Sequence, residues 1–274
     1  MAQGRLEGRL SLVNNVYASI WELSVSTPLV PGQGGRGSAY PVLPPLALSL
    51  SEQEFLRTES EKPMRADKQT SWSYTEALPT EDEVLIRARE RSYELGVSAV
   101  SSGVGAALTV LAAASKATTV VEVGTGAGVS GVCLLRGLGR NAVLTTIDSD
   151  VDHLRAAREA YAEAGIPGNR TRTISGRAAE VLPRLTDAAY DMVFIDADKP
   201  SFPLYVNQAV RLLKRGGLLV VNDALDHGKV ADPAVREATT NTMRKVGKAI
   251  RENEDLASAL LPTGDGLLLA VKTA

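Results

Sequence analysis

The sequence predicts an α/β fold: a doubly wound, mostly parallel seven-stranded sheet with helices on both faces. Three observations carry it. Short β-branched runs alternate with longer amphipathic stretches from Thr119 onward. A glycine-rich turn, Gly124 to Gly128, follows the first of those runs, where a parallel sheet passes from strand to helix. Near the C-terminus two apolar runs flank "PTGDG", which reads as a hairpin and makes one terminal strand antiparallel.

Taken in order, "TEDEVLIRARERSYELG" opens with Thr80 and an acidic first turn, as an N-capped helix does, and stops at Gly96. A second helix is expected over residues 103–114. Strands follow near 119–123, 142–147, 171–175, 190–195 and 217–222, and helices near 129–138, 151–164, 177–186, 202–214 and 233–252. Residues 1–63 differ: "STPLVPGQGGRGSAYPVLPPLALSLS" is dense in glycine and proline and shows neither period. They read as a disordered leader or as the product of an over-extended start, with residues 64–274 as a single domain.

Composition excludes several classes. Thirty basic residues balance thirty-two acidic ones, for a formal charge of −2, so no electrostatic hold on nucleic acid is indicated. Aromatics make up 4% of the chain, too few for a base-stacking platform. The single cysteine, Cys133, rules out an internal disulfide or a multi-cysteine zinc site and suits a reducing cytoplasm. No apolar run reaches the roughly 20 residues that span a bilayer, and no membrane partner is expected. A small-molecule ligand fits this balance.

The glycine turn is the expected ligand site. Gly124, Gly126 and Gly128 let a ligand approach the backbone, and the helix that follows offers free N–H groups. The spacing G-x-G-x-G places Val129 where the dinucleotide pattern requires glycine, and Glu122 precedes the turn, which argues against NAD. A carboxylate there suits a cationic amino group and repels a pyrophosphate. Asp148, ending the second strand, stands where such folds place the acid that holds ribose hydroxyls. A helix cap is its other reading, a role Ser149 or Asp150 could equally fill.

These residues resemble the class I S-adenosylmethionine-dependent methyltransferases, and within them the cation-dependent O-methyltransferases that act on catechols and caffeoyl-CoA. "VEVGTGAGVSG", "TTIDSD", "ISGRAAEVL", "YDMVFIDADK", "RLLKRGGLLVVNDAL" and "PTGDGLLLAVK" occur in the family's order over about residues 80–274. The resemblance implies a Rossmann-like fold with S-adenosylmethionine as cofactor. It places Glu122, Gly124, Thr125, Gly126, Gly128 and Ser130 around the methionine part, Asp148 on the ribose, and Gly176, Arg177 and Ala178 beside the adenine. It makes Asp196 a metal ligand and catalytic residue that also borders the cofactor, Lys199 the candidate base, and the protein a homodimer.

The implied chemistry is methyl transfer to a hydroxyl of a small vicinal diol, with Mg²⁺ or another divalent cation lowering the pKa of the attacking oxygen. Asp196 ends the fourth strand and Asn222 and Asp223 end the fifth, so three oxygen-bearing side chains can converge on one ion. The family has Asp then Asn at the fifth strand's end; this chain has Asn222 then Asp223, which turns the carboxylate to a different side. Three further readings stay open: a cofactor-binding protein with a decayed metal site, a metal-independent enzyme using Lys199 or His227 as base, and a nicotinamide-dependent oxidoreductase. In isolation Asp196 and Asp198 would read as a solvated strand-end loop. His153 is read as a surface residue, Cys133 as core, and Tyr205 and Trp72 as packing or pocket lining.

Overall fold

A computed structural model describes residues 68–274; the leader expected over residues 1–63 lies outside the described residues. The chain enters through three helices, α1 (Lys68–Ala77), α2 (Glu83–Glu94) and α3 (Ser102–Ser115). The α/β alternation then runs β1 (Thr119–Val123), α4 (Val129–Gly137), β2 (Val143–Asp148), α5 (Val151–Glu163) and β3 (Thr171–Ser175). It continues through α6 (Ala178–Val181), β4 (Tyr190–Ile195), α7 (Phe202–Leu212), β5 (Leu213–Val221) and α8 (Ala238–Glu252), and closes on β6 (Leu256–Leu261) and β7 (Leu267–Lys272).

The seven strands form one sheet in the order β3-β2-β1-β4-β5-β7-β6. β1 to β5 are parallel, and β7 runs antiparallel between β5 and β6. The order reverses direction at β1, where the crevice for a ligand opens at the carboxyl ends. Strand alternation sorts the core into two layers. Val120, Leu144, Phe194 and Val220 pack under α2 to α5, whereas Val121, Ile147, Val193 and Leu219 pack under α6 to α8. The two helix layers read differently for that reason. Every residue from Val129 to Leu135 of α4 is buried, because α3 and α5 flank it on the sheet. In α7 the buried set Phe202, Tyr205, Val206, Ala209 and Leu212 follows the 3.6-residue period of a helix with one wet side.

Four element boundaries differ from the sequence reading. The cap of α2 is Asp82, whose side chain accepts the N–H of Leu85, so Thr80 lies outside the helix. The helix expected over 177–186 is one turn of α6 followed by a 3₁₀ turn at Leu182–Arg184, with Pro183 in its first turn. β5 begins at Leu213, directly after α7, rather than at 217. α8 begins at Ala238, because residues 229–237 are a 3₁₀ turn and loop that include Pro233.

Candidate active site

Register decides which residues meet. Val123 is paired with Ile147 and with Ile195, and Ile195 with Val221. The next residue of each strand therefore lies in one row along the carboxyl edge: Gly124, Asp148, Asp196 and Asn222. The ladder extends into that row, since Gly124 N–H donates to Ile147 O, Asp196 N–H to Val123 O and Asn222 N–H to Ile195 O. Four motifs far apart in sequence thus become one edge.

A cavity of about 440 Å³ opens over this row. Gly124, Thr125, Gly126 and Ser130 line it from the first turn, Asp148 from β2, Gly176, Arg177 and Ala178 from the β3–α6 turn, and Asp196 and Asp198 from β4. The α2–α3 loop forms the opposite wall, held by Arg89, which pairs with both Glu81 oxygens and donates to Val100 O at 2.6 Å. A second cavity of about 550 Å³ is lined by Asp196, Asn222, Asp223, His227, Asp265 and Trp72, among others. The two share Ser98, Ala99, Val100, Asp196 and Ala197.

Gly124 has φ +90°, and a Cβ there would lie 1.8 Å from the Asp196 carbonyl oxygen. Gly128 is not on the cavity wall; its absent Cβ lets α4 meet Ala157 of α5. Glu122 also lies behind the wall. Fully buried, it accepts from Ser130 Oγ at 2.7 Å and Thr146 Oγ1 at 2.6 Å, so its link to the cavity runs through Ser130. Burial pushes its carboxyl up to about 7, with Asp196 and Asp148 adding to the rise against the two hydroxyl bonds.

A carboxyl raised in the folded state adds stability below its unfolded value, and that stability is lost as pH rises through 7. Glu122→Gln should therefore gain thermal stability over the parent at pH 8 and gain little at pH 5. A gain of equal size at both pH values would refute the buried charge as its origin.

Asp148 is not the cap of α5. Asp150 takes that role, accepting from Asp152 N–H, and leaves the Asp148 carboxylate in the cavity. Its Oδ2 accepts the amides of Thr125 and Gly126 at 3.0 and 3.1 Å, which ties the glycine turn to β2. His153, read as a surface residue, lines the same cavity with Nδ1 3.3 Å from both Asp148 oxygens. It stands five residues beyond Asp148, where the first turn of α5 folds back over the end of β2. Tyr205 also lines the cavity, its hydroxyl donating to Asp198 at 2.7 Å. Cys133 is core, its thiol pushed up to about 11 by burial.

At the end of β5, Asp223 has φ +53°, a left-handed backbone that Asp tolerates better than most residues. That turn brings its carboxylate back beside Asn222, whose Nδ2 lies 3.2 Å from both Asp196 Oδ1 and Asp223 Oδ1. Asn222 is 4% exposed, and its Oδ1 has no partner. Burial and the Asp223 charge push Asp196 up to about 7, and burial raises Asp223 as well. No group of three His, Cys, Asp or Glu side chains suited to a metal exists among the described residues. The donor set is therefore two carboxylates and one amide.

Lys199 lines neither cavity. Its Nζ donates to Asp226 Oδ1 at 2.8 Å, and Thr240 donates to the other oxygen at 2.6 Å. Burial works against ionisation of Asp226, but Lys199 and Thr240 hold its carboxyl down at about 2. A lysine donating to such a carboxylate must leave it before it can accept a proton. Sequence reasoning misplaced His153 and did not single out Asp265 of the second cavity or Asp226, which holds Lys199.

A doubly wound sheet with its cavity over a glycine turn at the switch point is the frame of a nucleotide-cofactor-binding α/β protein. Comparison with known proteins narrows that class. The O-methyltransferase family model matches residues 75–273, and the chain belongs to that family, the class I S-adenosylmethionine-dependent O-methyltransferases. It is 50% identical over 211 residues to a Mycobacterium tuberculosis H37Rv protein named as a probable O-methyltransferase, covering 77% of this chain and 94% of the relative. A Corynebacterium glutamicum crystal structure superposes with TM-score 0.69 at 33% identity, covering 81% of this chain and 98% of that one. The O-methyltransferase TomG of Streptomyces achromogenes, solved with S-adenosylmethionine and involved in tomaymycin synthesis, gives 0.68 at 30% identity, with 76% and 100% covered. No helix among the described residues is long and apolar enough to cross a membrane.

Proposed function

We propose that residues 64–274 form a single domain that binds S-adenosylmethionine in the 440 Å³ cavity and transfers its methyl group to a hydroxyl of a small aromatic vicinal diol in the 550 Å³ cavity. The observation that carries the reading is the wall the two cavities share at Asp196 and Ala197, which puts a donor and an acceptor side by side. Ser130, with its proton committed to Glu122, presents acceptor lone pairs to the ammonium of the methionine part. Asp148, whose Oδ1 accepts Asp150 N–H and whose Oδ2 accepts the glycine turn, keeps lone pairs for the ribose hydroxyls in the cavity it lines, and the Gly176–Ala178 turn borders the adenine.

The residues also fit a divalent cation. In the present orientation the Asn222 amide nitrogen faces two carboxylates and its oxygen is unpartnered. Turned over, the amide would bring three oxygens together, an arrangement a divalent cation stabilises. Asp196, Asn222 and Asp223 would hold it, and when bound it supplies Lewis acidity that makes the acceptor hydroxyl a better nucleophile at neutral pH. The α2–α3 loop and the β6–β7 turn wall the acceptor on two sides. The reading includes a cytoplasmic homodimer without a nucleic-acid or membrane partner.

The test is transfer of labelled methyl from S-adenosylmethionine to catechols, with Mg²⁺ and with chelator in parallel. Transfer that chelator stops is the expected result. Transfer that survives chelator would move proton acceptance to His227, which lines the acceptor cavity, or to a Lys199 released from Asp226. Binding of S-adenosylhomocysteine without transfer to any diol would overturn the enzyme reading in favour of a cofactor-binding module.

A further inference from the structure

The loops that leave the ends of β4 and β5 carry opposite charges at the same offset. Lys199 lies three residues past Asp196, where it opens the 3₁₀ turn Lys199–Ser201, and Asp226 lies three residues past Asp223. Their ion pair, at 2.8 Å, bridges the β4–α7 turn and the β5–α8 loop, with the two side chains 15% and 5% exposed.

Asp226 is fixed without help from the lysine. Thr240 and Thr239 of α8 donate to its other oxygen at 2.6 and 3.2 Å, and its own N–H donates to Asp223 O at 3.2 Å. The loop beyond it is tied to α8 by Arg244, which donates to the carbonyls of Lys229, Val230 and Val235 at 2.9, 3.1 and 2.6 Å. Lys199 is the movable partner, an ammonium on a flexible four-carbon stem. Desolvation raises the Asp196 and Asp223 carboxyls, and the Lys199 charge draws each partly back, so both carboxylates feel the ammonium. Lys229, the next lysine of the loop, is paired with Glu237 at 2.8 Å. An ammonium released from Asp226 would therefore turn to the two carboxylates that a divalent cation needs, and the cation would have to displace it.

We propose that Asp226 is a positioning residue that reserves the Asp196, Asn222 and Asp223 site for a divalent cation by holding the Lys199 ammonium out of it. The inference rests on the cation reading of that site and names the charge that would otherwise compete. The test is titration of Mn²⁺ into the full chain without acceptor, with free Mn²⁺ followed by electron paramagnetic resonance. Asp226→Asn keeps an oxygen for Lys199 but removes the charge that retains it, and Mn²⁺ affinity should fall about tenfold. Adding Lys199→Gln to that variant removes the competing charge, and affinity should return to within about threefold of the parent. A loop staple without this role predicts the opposite, since two altered partners would serve no better than one. Should Asp226→Asn fail to fold, Lys199→Gln alone decides. Its amide can still donate to Asp226, and Mn²⁺ affinity should hold or rise.

An Asp226→Asn protein that binds Mn²⁺ as its parent does, or a double variant as weak as the single one, would overturn the inference while leaving the cation site standing. A fall of more than about threefold in Lys199→Gln alone would also overturn it, by showing that the ammonium supports the cation. A parent chain that binds no Mn²⁺ would overturn the cation reading and this inference with it.

Discussion

Gly124→Ala should cost about 3–5 kcal/mol of stability and abolish cofactor binding, the larger of two expected effects in the glycine turn. Two causes add. At φ +90° an alanine carries left-handed strain of about 1–2 kcal/mol. Its Cβ would also lie 1.8 Å from the Asp196 carbonyl oxygen, a backbone atom that no rotamer change can remove. Relief requires β1 to part from β4, where Asp196 N–H bonds Val123 O at 2.8 Å. For a domain of this size the fall in Tm should be about 10 °C.

Gly126→Ala is the control. Its φ of +50° lies in the left-handed well that side chains tolerate best, and its Cβ would meet only the tip of Val97, 3.1 Å away. It should cost about 1 kcal/mol of stability and act mainly through crowding of the cavity. Thermal unfolding with and without S-adenosylhomocysteine, together with calorimetric titration, separates the two. A Gly124→Ala protein within 1 kcal/mol of its parent would contradict the close approach of the two strands.

The contrast shows what the sequence holds and what it withholds. The glycines, Asp148, Asp196 and Asn222 were legible because each ends a β-branched run, and parallel register aligns strand ends without further information. The two-layer core was legible for the same reason, since alternation along β1 and β4 assigns Val120 and Val121 to opposite faces. Side-chain commitments were not. Nothing in "DADK" says that Lys199 pairs with Asp226, because the partner lies 27 residues on, in a loop whose left-handed residues Asp223, Asp226 and His227 carry no glycine signal. The capping choice between Asp148 and Asp150 depended on where α5 begins by two residues, and that choice frees or consumes the cavity's acid. His153 could have been found by placing it in the first turn of α5, three residues past the Asp150 cap and five past the strand end at Asp148. Helix 177–186 failed through Pro183, whose missing N–H was outweighed in the pattern by the apolar run around it.

Asp196→Asn should destroy turnover while stabilising the protein above neutral pH. The side chain is half-buried between the two cavities, with its carboxyl pushed up to about 7 by desolvation and by Asp223. At pH 8 the folded protein holds it ionised at a cost, because the unfolded chain ionises the same group far more readily. Stability tied to this group is present below its unfolded value and lost as pH rises through 7. Asparagine keeps the shape, removes the charge and relieves Asp223, so the gain should be on the order of 2–4 kcal/mol at pH 8, less than half of that at pH 5 and near zero at pH 3. Methyl transfer should fall by about a thousandfold, since the acceptor cavity loses a carboxylate of its proposed cation site. Affinity for S-adenosylhomocysteine should change less than about tenfold, because the glycine turn and Asp148 are untouched. Such a residue, costly to the fold and needed by the chemistry, is where stability and function are expected to oppose each other. Loss of turnover that tracks loss of cofactor binding would place Asp196 in the cofactor site alone, and stabilisation of equal size at pH 5 and pH 8 would remove the buried charge as its cause.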